Sequence, residues 1–194
     1  MPIGVAPKLL DPIQRDSAAL GLSLHIDEEA GGLLRALTAT KPGGFVLQMG
    51  SGCCAMTAWL ADGADITTQV ITLVEDGKRA ALADKYFADA LNITVHRQTP
   101  LAFLQDVSAN RFNLICIDEL PDDAVIKTAL DLLAPAGIFF VIDPAGSPQR
   151  AKLHNLFDAT QLFQTAEFAG VIIAARRARA APVRRRSTRQ RHVG

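Results

Sequence analysis

Cysteine is scarce in this chain. There are three among 194 residues, two adjacent at Cys53 and Cys54 and the third, Cys116, inside an apolar run. Such a count excludes a disulfide-stapled scaffold and points to a reducing cytoplasm. Long apolar runs are missing too. None approaches the roughly 18–20 residues that a membrane helix needs. Lys8, Asp11 and Arg15 stand where a signal peptide would carry its apolar core, so no secretion signal is read. The histidines His25, His96, His154 and His192 are scattered and show no metal-ligand spacing. Net charge is also absent, with 20 basic and 20 acidic side chains. That balance excludes a uniformly basic nucleic-acid binder, but not a local basic arm.

The zero is a sum of two unlike parts. Residues 176–194 hold eight arginines and no acid, which leaves 12 basic and 20 acidic residues for 1–175. The chain divides accordingly into a domain over 1–175, with an N-terminal helical cap, and a basic, disordered tail over 176–194 that cannot build a core. The tail offers arginines to a nucleic acid or an anionic surface, but contains no aromatic to stack on bases. With 49% hydrophobic residues and positive mean hydropathy, the body has the means to fold.

Along that body strands and helices alternate. Strands are expected at 45–49, 70–74, 93–95, 112–117 and 138–142, and a closing hairpin at 163–168 and 171–175. Helices are expected at about 54–61, 78–91, 100–107, 122–133 and 147–158, with another after Asp27. Pro135-Ala136-Gly137 reads as the turn into the fifth strand. Continuous apolar strands alternating with helices indicate a mostly parallel sheet covered on both faces, and the hairpin adds an antiparallel edge. In such a sheet ligands bind beyond the carboxyl ends of the strands. The residues there are Gln48 to Cys54, Glu75-Asp76, Gln98-Thr99, Asp118-Glu119 and Asp143. Gly50-Ser51-Gly52 gives a tight turn that lets a ligand approach the backbone, and an acid at the end of the second strand suits two ribose hydroxyls. Together they point to nucleoside binding. The competing structural account is a plain turn followed by a helix-capping acid.

Several stretches in the same order resemble one family. Val46 to Cys54 reads VLQMGSGCC, against a family pattern V-L-E-I-G-T-G-T-G. Thr72 to Ala83 reads TLVEDGKRAALA, Phe112 to Asp118 reads FNLICID, and Pro135-Ala136-Gly137 stands where the family has P-G-G. From about Ile26 to Val171 the chain resembles the class I S-adenosylmethionine-dependent methyltransferases, within them the small catechol/caffeoyl-CoA type of O-methyltransferase. The resemblance implies an α/β, three-layer Rossmann-like fold with a seven-stranded, mostly parallel sheet whose last strand is antiparallel. It implies S-adenosylmethionine as cofactor and O-methyl transfer to a small-molecule acceptor, and it admits a homodimer. The cofactor site it implies comprises Gln48, Gly50, Ser51, Gly52, Glu75, Asp76, Thr99 and Asp118. The methionine part lies at Gly50 to Gly52, the ribose at Glu75, the adenine near Thr99, and the catalytic position at Asp118.

The chain departs from the pattern at chemically telling places. Gln48 replaces an acid, so it accepts a hydrogen bond without attracting the cofactor's ammonium. Cys54 replaces the third glycine. The family's divalent cation uses an Asp after strand four and an Asp-Asn pair after strand five. Here Asp118 and Asp143 match but Pro144 has no ligating side chain, so no metal is expected. Pro121 stands where a lysine base would be. These departures motivate two alternatives: a non-catalytic or regulatory protein of this fold binding a nucleoside or partner, and a nucleic-acid-associated methyltransferase docking through its tail.

Overall fold

Residues 5–22, 26–50, 54–142, 148–168 and 170–178 are described by the structure, a computed structural model. Seven strands form one sheet: β1 (Phe45–Met49), β2 (Gln69–Leu73), β3 (Ile93–His96), β4 (Phe112–Ile117), β5 (Leu133–Ile142), β6 (Phe163–Phe168) and β7 (Val171–Arg176). Their spatial order is β3-β2-β1-β4-β5-β7-β6. Strands β1 to β5 pair in parallel, while β7 runs antiparallel to both β5 and β6. The sheet is therefore the one the sequence led us to expect, with β7 the reversed strand.

Alternate faces of the strands feed two cores. Val46, Val70, Leu114, Cys116 and Phe140 pack under α1 (Leu10–Ala19), α2 (Glu28–Ala39), α3 (Ala55–Gly63) and α4 (Gly77–Phe87). Leu47, Leu73, Ile115, Phe139 and Val141 face α5 (Pro100–Gln105), α6 (Asp123–Leu132) and α7 (Pro148–Thr160). Strand alternation sends successive side chains to opposite layers, so strands covered on both sides are largely apolar.

Short polar side chains fix where the helices begin. Asp27 Oδ1 accepts from Glu29 N at 2.7 Å, and Asp76 Oδ1 from Arg79 N at 2.9 Å. Thr99 Oγ1 accepts from Ala102 N at 3.3 Å, with Pro100 opening the helix. Each satisfies a backbone N–H that has no carbonyl four residues behind it. The cap helix α1 is tied down through Asp16, which accepts from Tyr86 Oη at 2.7 Å and pairs with Lys85.

Two details differ from the sequence-based expectation. Pro135-Ala136-Gly137 is not a turn before the fifth strand but an irregularity inside it. Phe112 pairs with Leu133 and Leu114 with Ile138, and Ala136 takes φ of +60°. Strand β5 thus starts at Leu133, directly after α6, and the extra residues bulge out of register. At the other end β7 continues through Arg176, where the basic segment was expected to start. Arg176 Nη1 donates to Asn110 Oδ1 at 3.0 Å and to the carbonyl of Leu133.

Candidate active site

A cleft of about 300 Å³ opens beyond the carboxyl ends of β1, β2 and β4. Strand order places it there, because β1 is the point from which the chain winds outward both ways, to β2-β3 and to β4-β5. Met49 and Gly50 supply one wall and Leu73 to Asp76 a second. Arg79 and Pro100 lie beside the second wall, and Glu119-Leu120-Pro121 close the third.

Gly50 is held in a conformation that only glycine adopts freely, with φ of +113°. A Cβ at this position would lie 2.0 Å from Asp118 Oδ1 and 3.2 Å from Glu119 N. The Asp118 carboxylate thus rests against the Gly50 backbone, joining the ends of β1 and β4. The cleft wall on that side is made by its neighbour Glu119.

The expected cofactor residues separate into three groups. Gly50, Glu75 and Asp76 line the cleft, and the Glu75 side chain is exposed. Asp76 lines it while capping α4, so the capping account holds for that acid. Gln48, Thr99 and Asp118 border the region without lining it. Gln48 is fully buried, its Oε1 accepting from Thr72 Oγ1. Thr72 in turn lies 3.4 Å from Thr57 Oγ1 on α3. Gln48 therefore ties β1, β2 and α3 together beneath the site, and its Nε2 has no partner. Thr99 caps α5, while the adjacent Pro100 faces the cleft. Ser51 and Gly52 form the third group. They lie outside the described residues, as do Cys53, Asp143, Pro144, His25 and the chain beyond Ala178.

Cys54, at the third-glycine position, takes φ of +65° just ahead of α3. Its side chain is buried, with Sγ 3.8 Å from the Arg79 carbonyl oxygen, so it is directed away from the cleft and into the α3–α4 contact. Cys116 is buried in β4, and burial pushes its thiol well above the usual range. A thiol so desolvated stays protonated and is inert as a nucleophile. Among the described residues no three His, Cys, Asp or Glu side chains converge as metal ligands would.

Sequence reasoning passed over Arg79, and it placed Glu119 at a strand end without giving it a role. Arg79 sits in the first turn of α4 and lines the cleft, and its Nε is buried without a hydrogen-bond partner. The cleft thus combines Glu75, Asp76 and Glu119 with one guanidinium. Arg79 lies inside the quoted TLVEDGKRAALA stretch, and a cation four residues beyond Glu75, in the turn above it, is the signal that marks it.

No family model matches the sequence, and no curated protein matches it. Solved structures do match in shape. An O-methyltransferase from Bacillus cereus in complex with SAH shares 20% identity over 90% of this chain and 93% of its own, with a TM-score of 0.77. The O-methyltransferase TomG from Streptomyces achromogenes, in complex with SAM, shares 16% identity over 91% of this chain and 92% of its own, at 0.76. A methyltransferase from Geobacter sulfurreducens shares 16% over 91% of each chain, at 0.73. No helix among the described residues is long and apolar enough to cross a membrane. At such identities it is the architecture that is shared: the chain has the three-layer, Rossmann-like methyltransferase fold.

Proposed function

We propose that this protein is an S-adenosylmethionine-dependent methyltransferase that acts in the cytoplasm on an oxygen of a small-molecule acceptor. One observation carries the reading. The cleft lies at the carboxyl ends of β1, β2 and β4, with a glycine of positive φ on one wall and an exposed carboxylate, Glu75, at the end of β2. The matched structures that hold SAM or SAH have this fold.

In this reading Glu75 accepts hydrogen bonds from the two ribose hydroxyls. Gly50, with Ser51 and Gly52, brings backbone close to the methionine part. Pro100, beside Thr99, borders the adenine, and Asp118 sits by the transfer position with its carboxylate braced on Gly50. Gln48 acts from below, holding the strand ends in register. The cofactor supplies an electrophilic methyl group when bound. The chain's part is to hold an acceptor oxygen in line with it, which is chiefly a matter of proximity and orientation. Pro121 stands in the cleft wall where a base would be, so the acceptor is one acidic enough to arrive ionised. A general acid–base step is not needed for such an acceptor. Calorimetry with S-adenosylmethionine and S-adenosylhomocysteine tests the reading. Absence of binding by both at millimolar concentration rejects it.

A second reading, a non-catalytic protein of the same fold, draws on Pro121 and on the Gln48 amide that hydrogen-bonds to Thr72. It predicts cofactor binding with no methylation across phenols, catechols and carboxylic acids. Turnover of any acceptor removes it. We assign the Arg-rich segment no part in the chemistry. β7 runs antiparallel to β5, from Val171 beside Ile142 to Ala175 beside Ile138, so it leads away from the cleft.

A further inference from the structure

Arg79 is half-buried, and it is the cation among the charged residues lining the cleft, the others being Glu75, Asp76 and Glu119. Its Nε is buried and has no partner, and no ion pair joins it to a carboxylate among the described residues. Its backbone is fixed twice, by the Asp76 cap on its N–H at 2.9 Å and by the Cys54 Sγ at 3.8 Å from its carbonyl oxygen. A buried donor left unsatisfied is costly, and a charged one more so. A ligand that brought only hydroxyls and cationic groups would satisfy Glu75 and Glu119 and leave this donor unmet. Of the charged groups lining the cleft, Arg79 is the one that can pair with an anion on a ligand.

From this geometry we infer that Arg79 binds the carboxylate of the cofactor's amino-acid part, an inference that rests on the cofactor reading above. Arg presents its N–H groups in a planar fork that matches a carboxylate in two-point contact. S-adenosylmethionine has one anionic group, and that group is its carboxylate. The complementary device, an acid at the end of β1 attracting the ammonium, is missing here. Gln48 is neutral, buried and hydrogen-bonded to Thr72. In this chain, charge recognition of the amino-acid end then falls to a base on α4 acting on the carboxylate.

The test is calorimetric titration of the full chain and of Arg79→Gln and Arg79→Lys with two ligands. S-adenosylhomocysteine carries the carboxylate, and 5′-methylthioadenosine is the same nucleoside thioether without the amino-acid part. We expect Arg79→Gln to weaken S-adenosylhomocysteine at least about tenfold, in line with a charge-assisted hydrogen bond, and to leave methylthioadenosine unchanged. Arg79→Lys, which keeps charge but loses the fork, falls between. Thermal unfolding of each variant shows that the fold is retained. Equal weakening of both ligands overturns the inference, because Arg79 then serves the nucleoside or the fold. No weakening of either overturns it as well. Failure of the unaltered protein to bind either ligand rejects the cofactor reading itself, and the inference with it.

Discussion

Replacing Gly50 by Ala tests how the ends of β1 and β4 are joined. The new Cβ would stand 2.0 Å from Asp118 Oδ1, against an ordinary carbon–oxygen contact of roughly 3.4 Å. It would also place a side chain at φ of +113°, a region that costs about 1–3 kcal/mol for a residue other than glycine. Forcing the carboxylate aside adds about 1–3 kcal/mol, the usual range for overpacking. The single change should therefore cost about 2–6 kcal/mol in urea unfolding. The two parts can be separated. In an Asp118→Ala background the carboxylate is gone, while the strained φ and the 3.2 Å approach to Glu119 N remain. Gly50→Ala should then cost at least about 1 kcal/mol less than in the unaltered protein, a coupling well outside the roughly 0.3–0.5 kcal/mol error of additivity. If the two substitutions are additive, the Asp118 carboxylate does not rest on Gly50, and the described geometry of the site is wrong.

Three further outcomes follow from the structure. Glu75→Gln should weaken S-adenosylhomocysteine by about ten- to a hundredfold, the value of hydrogen bonds to a carboxylate, with little change in melting temperature because the side chain is exposed. Unchanged affinity would remove Glu75 from the ribose. Gly31→Ala should destabilise by about 1–2 kcal/mol despite gaining helix propensity, because its Cβ would meet Trp59 Cε2 at 2.3 Å and that ring is 1% exposed. A rise in melting temperature would show that α2 and α3 are less closely packed. Asp16→Asn should lower the melting temperature at neutral pH, by a margin that starts to shrink only below about pH 4 and closes in stronger acid. Hydrogen bonds from Lys85 and Tyr86 hold the Asp16 carboxyl below its usual value. Its contribution is therefore present above that value and is lost as pH falls through the lowered one. A melting gap that persists in acid would mean the aspartate acts by shape rather than charge.

The sheet was legible because its strands announce themselves. Phe112 to Ile117 is apolar except for Asn113 and is followed by an acid, and Asp27 and Asp76 are caps that sequence alone can read. Pro135-Ala136-Gly137 misled because turn chemistry and a bulge use the same residues. Only the pairing of Leu114 with Ile138 distinguishes the two. At the site, Glu75 and Gly50 were found by position after a strand, whereas the surroundings of Gln48 and Arg79 were not. Whether a polar side chain points into a cleft or beneath a helix depends on packing. Thr72, which holds Gln48, and Cys54, which contacts the backbone of Arg79, are 24 and 25 residues distant along the chain. Motif spacing carries no information across such separations.

The central claim is that the cleft at β1, β2 and β4 is the seat of S-adenosylmethionine. A crystal structure of the protein with S-adenosylhomocysteine tests it most directly. The account predicts the ribose hydroxyls on Glu75 and the homocysteine part at Gly50, with its carboxylate on Arg79. Ligand density elsewhere on the molecule, or an empty cleft at millimolar ligand, would contradict it.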